Sequence, residues 1–543
     1  MNRSLTEPRS MRHPAVAVAM LLLAPPAAAA DDAPVVAPGT EIGSVSVVRH
    51  NVFDPNDPKE SGAFYQFFNR FHVVTRDHII RQQLLFAEGD FLDPRLLDES
   101  ARILRANRYL YDASLSAKKG EDGKAHVTVE THDIWSITPE LSISRKGGEN
   151  ETVIGLEEDN LLGLGQRIRL FRADDVDRTS TTFEFFDRQI GRSWVGVHLV
   201  ASDNSDGDRL FLSIDKPFHA LDARWSAGGW ASDDDRETSL YSLGDEIAEF
   251  RHERRFHTGW GGWSSGLING WVRRWTAGLV YDDNEFSTVP VPTLPAAAPE
   301  DRKLVYPYIG FELLEDDFQR TQNSDQISRS EDFFMGTRLA ATVGWSDTSF
   351  GADRDALIYT LVAGKGFGSM DKTALLTSAT VRGRHESGDT ANATSNVKLQ
   401  YYWRQSEKLL FFTLIDATVG HDLDLDSPVQ IGGDSGLRGY PLRYQAGDGR
   451  VLVTVEQRYF TDWYPFRLFR VGGAIFFDAG RTFGDNPVAG PNLGWLRDVG
   501  IGLRFAPTRL STKRVVHLDL AFPLDGEPTI DDVQILLEAK RSF

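Results

Sequence analysis

Cysteine is absent from all 543 residues. Disulfides, thiolate metal sites and cysteine nucleophiles are therefore excluded together. Positive charge is in short supply: 59 Lys and Arg stand against 78 Asp and Glu, a formal charge of −19. Nucleic-acid binding needs a basic footprint that neutralises phosphates, so no nucleic acid is expected among the partners. Long apolar runs are missing as well. Beyond residue 30 nothing approaches the roughly 18 uninterrupted apolar residues of a membrane-spanning helix. Signs of catalysis are thin. The chain is read as lacking the Gly-x-Ser-x-Gly elbow of serine hydrolases. His132-Asp133 and His421-Asp422 are chain neighbours that a strand would point to opposite faces. His517 and Asp519 share a face, but no serine partner can be named. No enzymatic activity, cofactor or metal is expected.

Hydrophobic residues make up 41% and aromatics 11%, with 48 glycines, which excludes a disordered chain. A mean hydropathy of −0.31 suits a soluble protein. It suits a membrane β-barrel equally, because alternating strands never look apolar in bulk. Residues 1–30 carry Arg3, Arg9 and Arg12, an apolar run from Ala15 to Ala24, and Ala27 to Ala30 before Asp31-Asp32. That is the pattern of a secretory signal peptide, with Met11 as a second possible start. The run is too short to anchor the chain, so an exported protein without a helical span is expected.

Residues 41–135 have a mixed pattern. Ile42 to Val48 alternates like a strand, and Asp77 to Phe86 places Ile80, Leu84 and Leu85 on one helical face. A second helix is marked by Asp93 as N-cap and Pro94 at the first turn, with Leu97, Ala101 and Leu104 on one side. Tyr109–Ser116 and Ala125–Thr131 read as a hairpin around Gly120 to Gly123. The order β-α-α-β-β, with RQQLLFAEGDFL, DESARILRANRYLYDASL and HVTVETHD, resembles a POTRA domain. The resemblance implies a periplasmic position before an outer-membrane barrel, and a sheet edge that can pair with an extended client segment.

From Ser136 to Phe543 the helical period disappears, and period-two runs recur between Gly, Asp, Asn and Ser clusters. In Val533–Phe543 the odd positions are Val533, Ile535, Leu537, Ala539, Arg541 and Phe543, and the even ones are mostly polar. Val451, Val453, Val455 and Tyr459 oppose Arg450, Thr454, Glu456 and Arg458 in the same way. Alternation also fits a soluble sandwich. Aromatics near strand ends (Trp463, Tyr464, Phe466; Trp260, Trp263, Trp271, Trp275), connections of unequal length and a terminal Phe543 favour a membrane barrel. The fold class expected is mainly β, a transmembrane antiparallel barrel over 136–543 behind one α+β domain. Five strands are read after Leu437 and roughly 14 to 16 runs before it, the latter expected to fall as bent strands merge. The proline-rich run Val289 to Pro299 must be a loop.

Residues 431–444 read IGGDSGLRGYPLRY. Gly432-Gly433 and Leu437-Arg438-Gly439-Tyr440 resemble the loop motif of the BamA/TamA family, the superfamily of outer-membrane assembly and secretion barrels. Glu456 in VLVTVEQRYF and Asp478 in IFFDAGRTF stand where that family has acidic residues on the next two strands, and Asn160 to Gln166 is similar to its early-barrel segment. The resemblance implies about 16 strands. It also implies a loop over about 427–448 folded into the lumen and held by Arg438 on Glu456 and Asp478. The glycines would allow the backbone reversal.

The implied function is insertion of barrel proteins into, or export of proteins across, the bacterial outer membrane. The partners expected are the bilayer with its lipopolysaccharide, client proteins, and periplasmic chaperones or accessory lipoproteins. A two-partner secretion transporter, a group with two POTRA domains and a plug helix, and a passive channel are the alternatives. Gly364 to Ser369 is read as a hairpin turn rather than a phosphate loop. The acidic runs at 203–208, 233–235 and 422–426 are read as solvated loops.

Overall fold

The computed structural model describes residues 36–289, 298–485, 490–511, 514–540 and 542. The signal-type segment, most of the proline-rich run and Phe543 lie outside the described residues. The chain forms a small N-terminal domain followed by a closed β-barrel.

In the domain, strand β1 (Ile42–His50) is followed by helices α1 (Ala63–Phe71), α2 (Asp77–Arg81) and α3 (Pro94–Arg105), then by strands β2 (Leu110–Lys119) and β3 (Ala125–Asp133). The sheet order is β1-β3-β2, with β1 parallel and β2 antiparallel to the central strand. Asp93 caps α3 by accepting from the Arg95 amide at 2.9 Å. The inner faces of α2 and α3 bury Ile80, Leu97 and Leu104 against Ile42, Val45, Leu110, Val127 and Val129. Two expectations need correction. The first helix read from the sequence stops at Arg81 instead of Phe86. Helix α1 was not expected at all: its N-cap Gly62 makes no side-chain cap, and AFYQFFNRF has no buried residue to mark a core-facing stripe.

Among the described residues the barrel closes with 20 strands, not about 16. Five strands follow the loop, as the pattern indicates: Gly449–Phe460, Phe469–Phe483, Leu496–Pro507, Val515–Pro523 and Gln534–Lys540. Fifteen precede it, inside the range the alternation alone gives. The runs did not merge, because long strands stayed in one piece. Asp245–Ile268 has 24 residues and its neighbours Trp225–Ser242 and Trp271–Thr288 have 18 each, against the roughly 9–11 that cross a bilayer.

Alternation sorts the side chains. Leu141, Ile154, Leu279, Ile309, Ile475 and Ile501 point outward as an apolar exterior. Thr454, Glu456, Arg458 and Asp478 point inward and are buried. Trp263 and Trp275 are outward and exposed, but Trp260 shares the parity of Arg254, whose guanidinium pairs with Asp282 across the inner face. It is therefore an inward residue, and not part of an outer girdle.

Candidate functional site

Two segments enter the interior of the barrel from opposite ends and pack on its wall. The outer one is the loop 427–448, which follows strand Leu409–His421 and carries a short hairpin, Val429–Ile431 with Gln445–Gly447. Ile431, Leu437, Tyr440 and Tyr444 pack with Leu452 and Leu496 of the wall. The Tyr440 hydroxyl accepts from the Arg497 amide at 2.9 Å and donates to the Arg497 carbonyl at 2.8 Å.

Arg438 stands at the centre. Its Nε and Nη2 donate to the two carboxylate oxygens of Asp478 at 2.7 and 2.9 Å, and Nη1 donates to Glu456 Oε1 at 2.8 Å. The guanidinium lies 3.4 Å from the ring centroid of Phe476. Asp498 faces Asp478 directly in the ladder. Asp498 Oδ2 accepts from the Gly439 amide at 3.1 Å. The glycines serve by close approach, not by left-handed backbone. A Cβ on Gly432 or Gly433 would lie 2.5 Å from a backbone carbonyl of Pro441 or Tyr440, and one on Gly439 would lie 2.7 Å from Asp498 Cβ.

The inner segment, residues 316–337, joins strands Arg302–Glu315 and Arg338–Ser346 at the end nearer the N-terminal domain. Its hairpin, Phe318–Thr321 with Glu331–Phe334, was not foreseen. Ile327 and Met335 pack with Tyr402, Leu410 and Phe412 of the wall. Arg458 joins the two segments: its Nε donates to Glu456 Oε2 at 2.9 Å, and Nη1 donates to Ser324 O at 2.8 Å and Asp325 Oδ1 at 3.2 Å. Glu456 thus holds Arg438 with one oxygen and Arg458 with the other. The sequence signal was available, since Arg458 falls on the polar set with Glu456, and DDFQRTQNSDQISRSEDFF has no strand period.

The same inner segment grips the domain. Arg105 forms a fork on Asp332 at 2.8 and 2.6 Å, Arg329 donates to Leu110 O at 2.8 Å, and the Tyr111 hydroxyl donates to Ser328 O at 2.8 Å. At the domain–barrel joint, Thr75 donates from both its amide and its hydroxyl to Asp133 Oδ2 at 2.7 Å. Asn160, in the early-barrel segment, donates to the Thr75 hydroxyl at 2.9 Å. Burial pushes the Asp133 carboxyl up to about 7 and the His72 imidazole down to about 4. At 3.9 Å the two are too far apart for a hydrogen bond, and both favour their uncharged forms.

The barrel's first and last strands meet weakly. Among the described residues Gln534–Lys540 shares one ladder pair, Leu537 with Arg145, with strand β4 (Ile137–Lys146). On its other side it shares seven with Val515–Pro523.

Of the remaining candidates, the acidic run at 233–235 is not a loop as read from the sequence but lies within strand Trp225–Ser242, with Asp234 on Arg236 and Asp235 on Arg251. Asp424 and Asp426 are taken by Arg302 and Arg384. The glycine-rich run is not the hairpin turn read from the sequence: Gly364 to Gly368 end the strand Ala356–Gly368, and Lys365 pairs with Glu315 at 3.0 Å. Among the described residues His50, Glu130 and His132 could reach one metal ion, but His50 Nε2 is already hydrogen-bonded to Glu130 at 2.8 Å. The Gly-x-Ser-x-Gly spacing does occur, at Gly262 to Gly266, contrary to the sequence reading. It lies at the end of strand Asp245–Ile268, with Ser264 Oγ accepting from the Gly266 amide at 3.0 Å, and lacks the strand-turn-helix setting of an elbow.

No family model matches the chain, and no curated protein matches it. Solved structures do. CdiB from Escherichia coli aligns at 13% identity with a TM-score of 0.50, covering 92% of this chain and 76% of that one. This similarity shows the fold. CdiB from Acinetobacter baumannii aligns at 11% identity with a TM-score of 0.44, over 92% and 74% of the two chains. BamA from Haemophilus ducreyi lacking POTRA domains 1-3 aligns at 12% and 0.37, over 91% and 83%.

Proposed function

We propose that this chain is a bacterial outer-membrane protein that inserts barrel proteins into that membrane or exports proteins across it. The observation that carries the reading is Arg438 bridging Glu456 and Asp478 inside the lumen, the contact that the motif resemblance implies. The apolar exterior supports a bilayer position, since a closed barrel satisfies every edge backbone group that lipid cannot. On this reading the N-terminal domain is a single POTRA domain in the periplasm, with its β1-β3-β2 sheet as support.

Client strands have two places to pair. Strand β2 is a sheet edge; Arg329 and Arg105 already occupy Leu110 O and Ala113 O, so strand addition would begin near Ser114. The seam between β4 and Gln534–Lys540 is the other, because among the described residues these strands share one ladder pair. A permanently open passive channel fits less well, since segments from both ends enter the lumen and pack on its wall. Quantitative outer-membrane proteomics after depletion tests the proposal. Loss of several barrels, or of one exported protein, supports it and names the client. An unchanged proteome with altered small-solute permeability overturns it.

A further inference from the structure

Helix α1 is inside out for a soluble domain. An amphipathic helix normally turns its apolar side to the core, yet none of Ala63–Phe71 is buried. The rings of Tyr65 and Phe68 lie 5.0 and 6.5 Å from that of the buried Phe53, and polar side chains complete the attachment. Asn69 Nδ2 donates to Phe53 O at 2.8 Å, its Oδ1 accepts from the Phe53 amide at 3.0 Å, and Gln66 donates to Glu60 O at 3.0 Å. Phe64, Phe67 and Phe71, spaced three and four apart, line the other side and are 58%, 58% and 57% exposed. Phe67 and Phe71 rings lie 4.8 Å apart, and Phe64 meets Phe68 at 5.1 Å, so the surface is one aromatic patch.

Its position supplies the partner. The Tyr65 hydroxyl donates to Phe466 O at 3.2 Å, and the Phe68 ring meets Trp135 edge-on at 5.1 Å. Trp135 lies immediately before β4 and bridges to Leu510. Phe466 and Trp463, both largely exposed, form the turn between Gly449–Phe460 and Phe469–Phe483. The patch therefore continues the aromatic rim of the barrel's domain-side end. It is an open face, not a groove shaped for a peptide, and the exposed Arg70 on the same helix suits lipid phosphates.

We infer that α1 is an interfacial anchor lying on the periplasmic leaflet of the membrane that holds the barrel. Phe64, Phe67 and Phe71 sit at the boundary of headgroups and acyl chains, with Arg70 at the phosphates. The inference rests on the barrel being membrane-spanning, as proposed above, and adds that the domain is tied to the bilayer itself.

The absence of cysteine makes single-site labelling clean. A nitroxide is placed at Phe67→Cys, an exposed site outside the core, and separately at Ile475→Cys, outward on strand Phe469–Phe483. The full-length protein is reconstituted in phosphatidylethanolamine–phosphatidylglycerol vesicles, and collision rates with oxygen and a water-soluble nickel chelate are compared. Both labels are expected on the lipid side, with Phe67→Cys the shallower. Ile475→Cys in lipid with Phe67→Cys in water overturns the anchor and leaves the barrel reading standing. Shielding of Phe67→Cys from both reagents, as a second copy or a protein partner would produce, also overturns it. Ile475→Cys in water overturns the barrel reading and the anchor with it.

Discussion

The two segments that enter the barrel are held by different partners. The outer loop, 427–448, is fastened to the barrel wall and its outer hairpins: Arg438 to Asp478 and Glu456, Tyr440 to Arg497, Arg443 to Asp177. The inner segment, 316–337, divides its contacts between the wall and the N-terminal domain. They meet at Glu456 through Arg438 and Arg458. A movement of the domain would therefore pull directly on the inner segment, which meets the outer loop at the carboxylate of Glu456. The outer loop is a fixed lock; the inner segment is a coupler.

The strongest way to break this contrast is Arg438→Ala, which leaves Glu456 short of one partner and Asp478 without its fork. Removing one side of such a buried pair costs about 3–5 kcal/mol. Hydrogen exchange should rise sharply across 427–448, and under the proposed function client assembly or export should be lost. Wild-type protection there would refute the lock.

Next in size is removal of residues 318–334 and closure by a short Gly-Asn turn. Steady single-channel conductance should increase while 427–448 stays protected. Unchanged conductance would mean that the inner segment does not obstruct the lumen.

Arg458→Met sharpens the comparison further, because it cuts the link and leaves Arg438 on Glu456. Exchange should rise in 316–337 more than in 427–448, by about 2–3 kcal/mol of protection for a buried charged hydrogen bond. Equal loosening of both segments would make them one unit. Tyr440→Phe removes the two Arg497 hydrogen bonds, with an expected local cost of about 1–2 kcal/mol confined to the outer loop.

A separate test concerns the domain joint, away from both segments. Asp133, raised to about 7 from 3.8, favours the folded state in its protonated form, so its contribution to stability falls as pH rises between those values. His72, lowered to about 4 from 6.5, acts in the opposite sense and loses stability as pH falls from 6.5 towards 4. Asp133→Asn should therefore gain protection in α2 and β3 relative to the parent as pH rises, levelling off above about 7. A difference that does not change with pH would show that Asp133 is not buried in that state.

Some of this was legible from residues alone. Period-two alternation placed Glu456, Arg458 and Asp478 on the inner face, because successive strand side chains must point to opposite sides. Asp93 and Pro94 marked the start of α3, because the free N–H groups of a first turn need a nearby acceptor. The run LRGY named the loop through a resemblance, and the alternation gave nearly the right number of strands before the resemblance lowered it. What the residues did not reveal was α1, whose apolar stripe faces away from any core, and the inner segment, whose polar run looks like any long connection.

The sequence by itself determined which side chains face the lumen, where the N-terminal domain ends and the alternation begins, and which arginine and acids could form the lock. Only the tertiary structure decided that 20 strands close the barrel, that Glu456 is shared by two arginines, and that the inner segment bridges domain and wall. The reason is that alternation and capping are local rules, satisfied within a few residues. Closure, by contrast, is a register between strands far apart in the chain, and sharing Glu456 needs Arg438 of the loop beside Arg458, which in turn reaches Ser324 O of the inner segment.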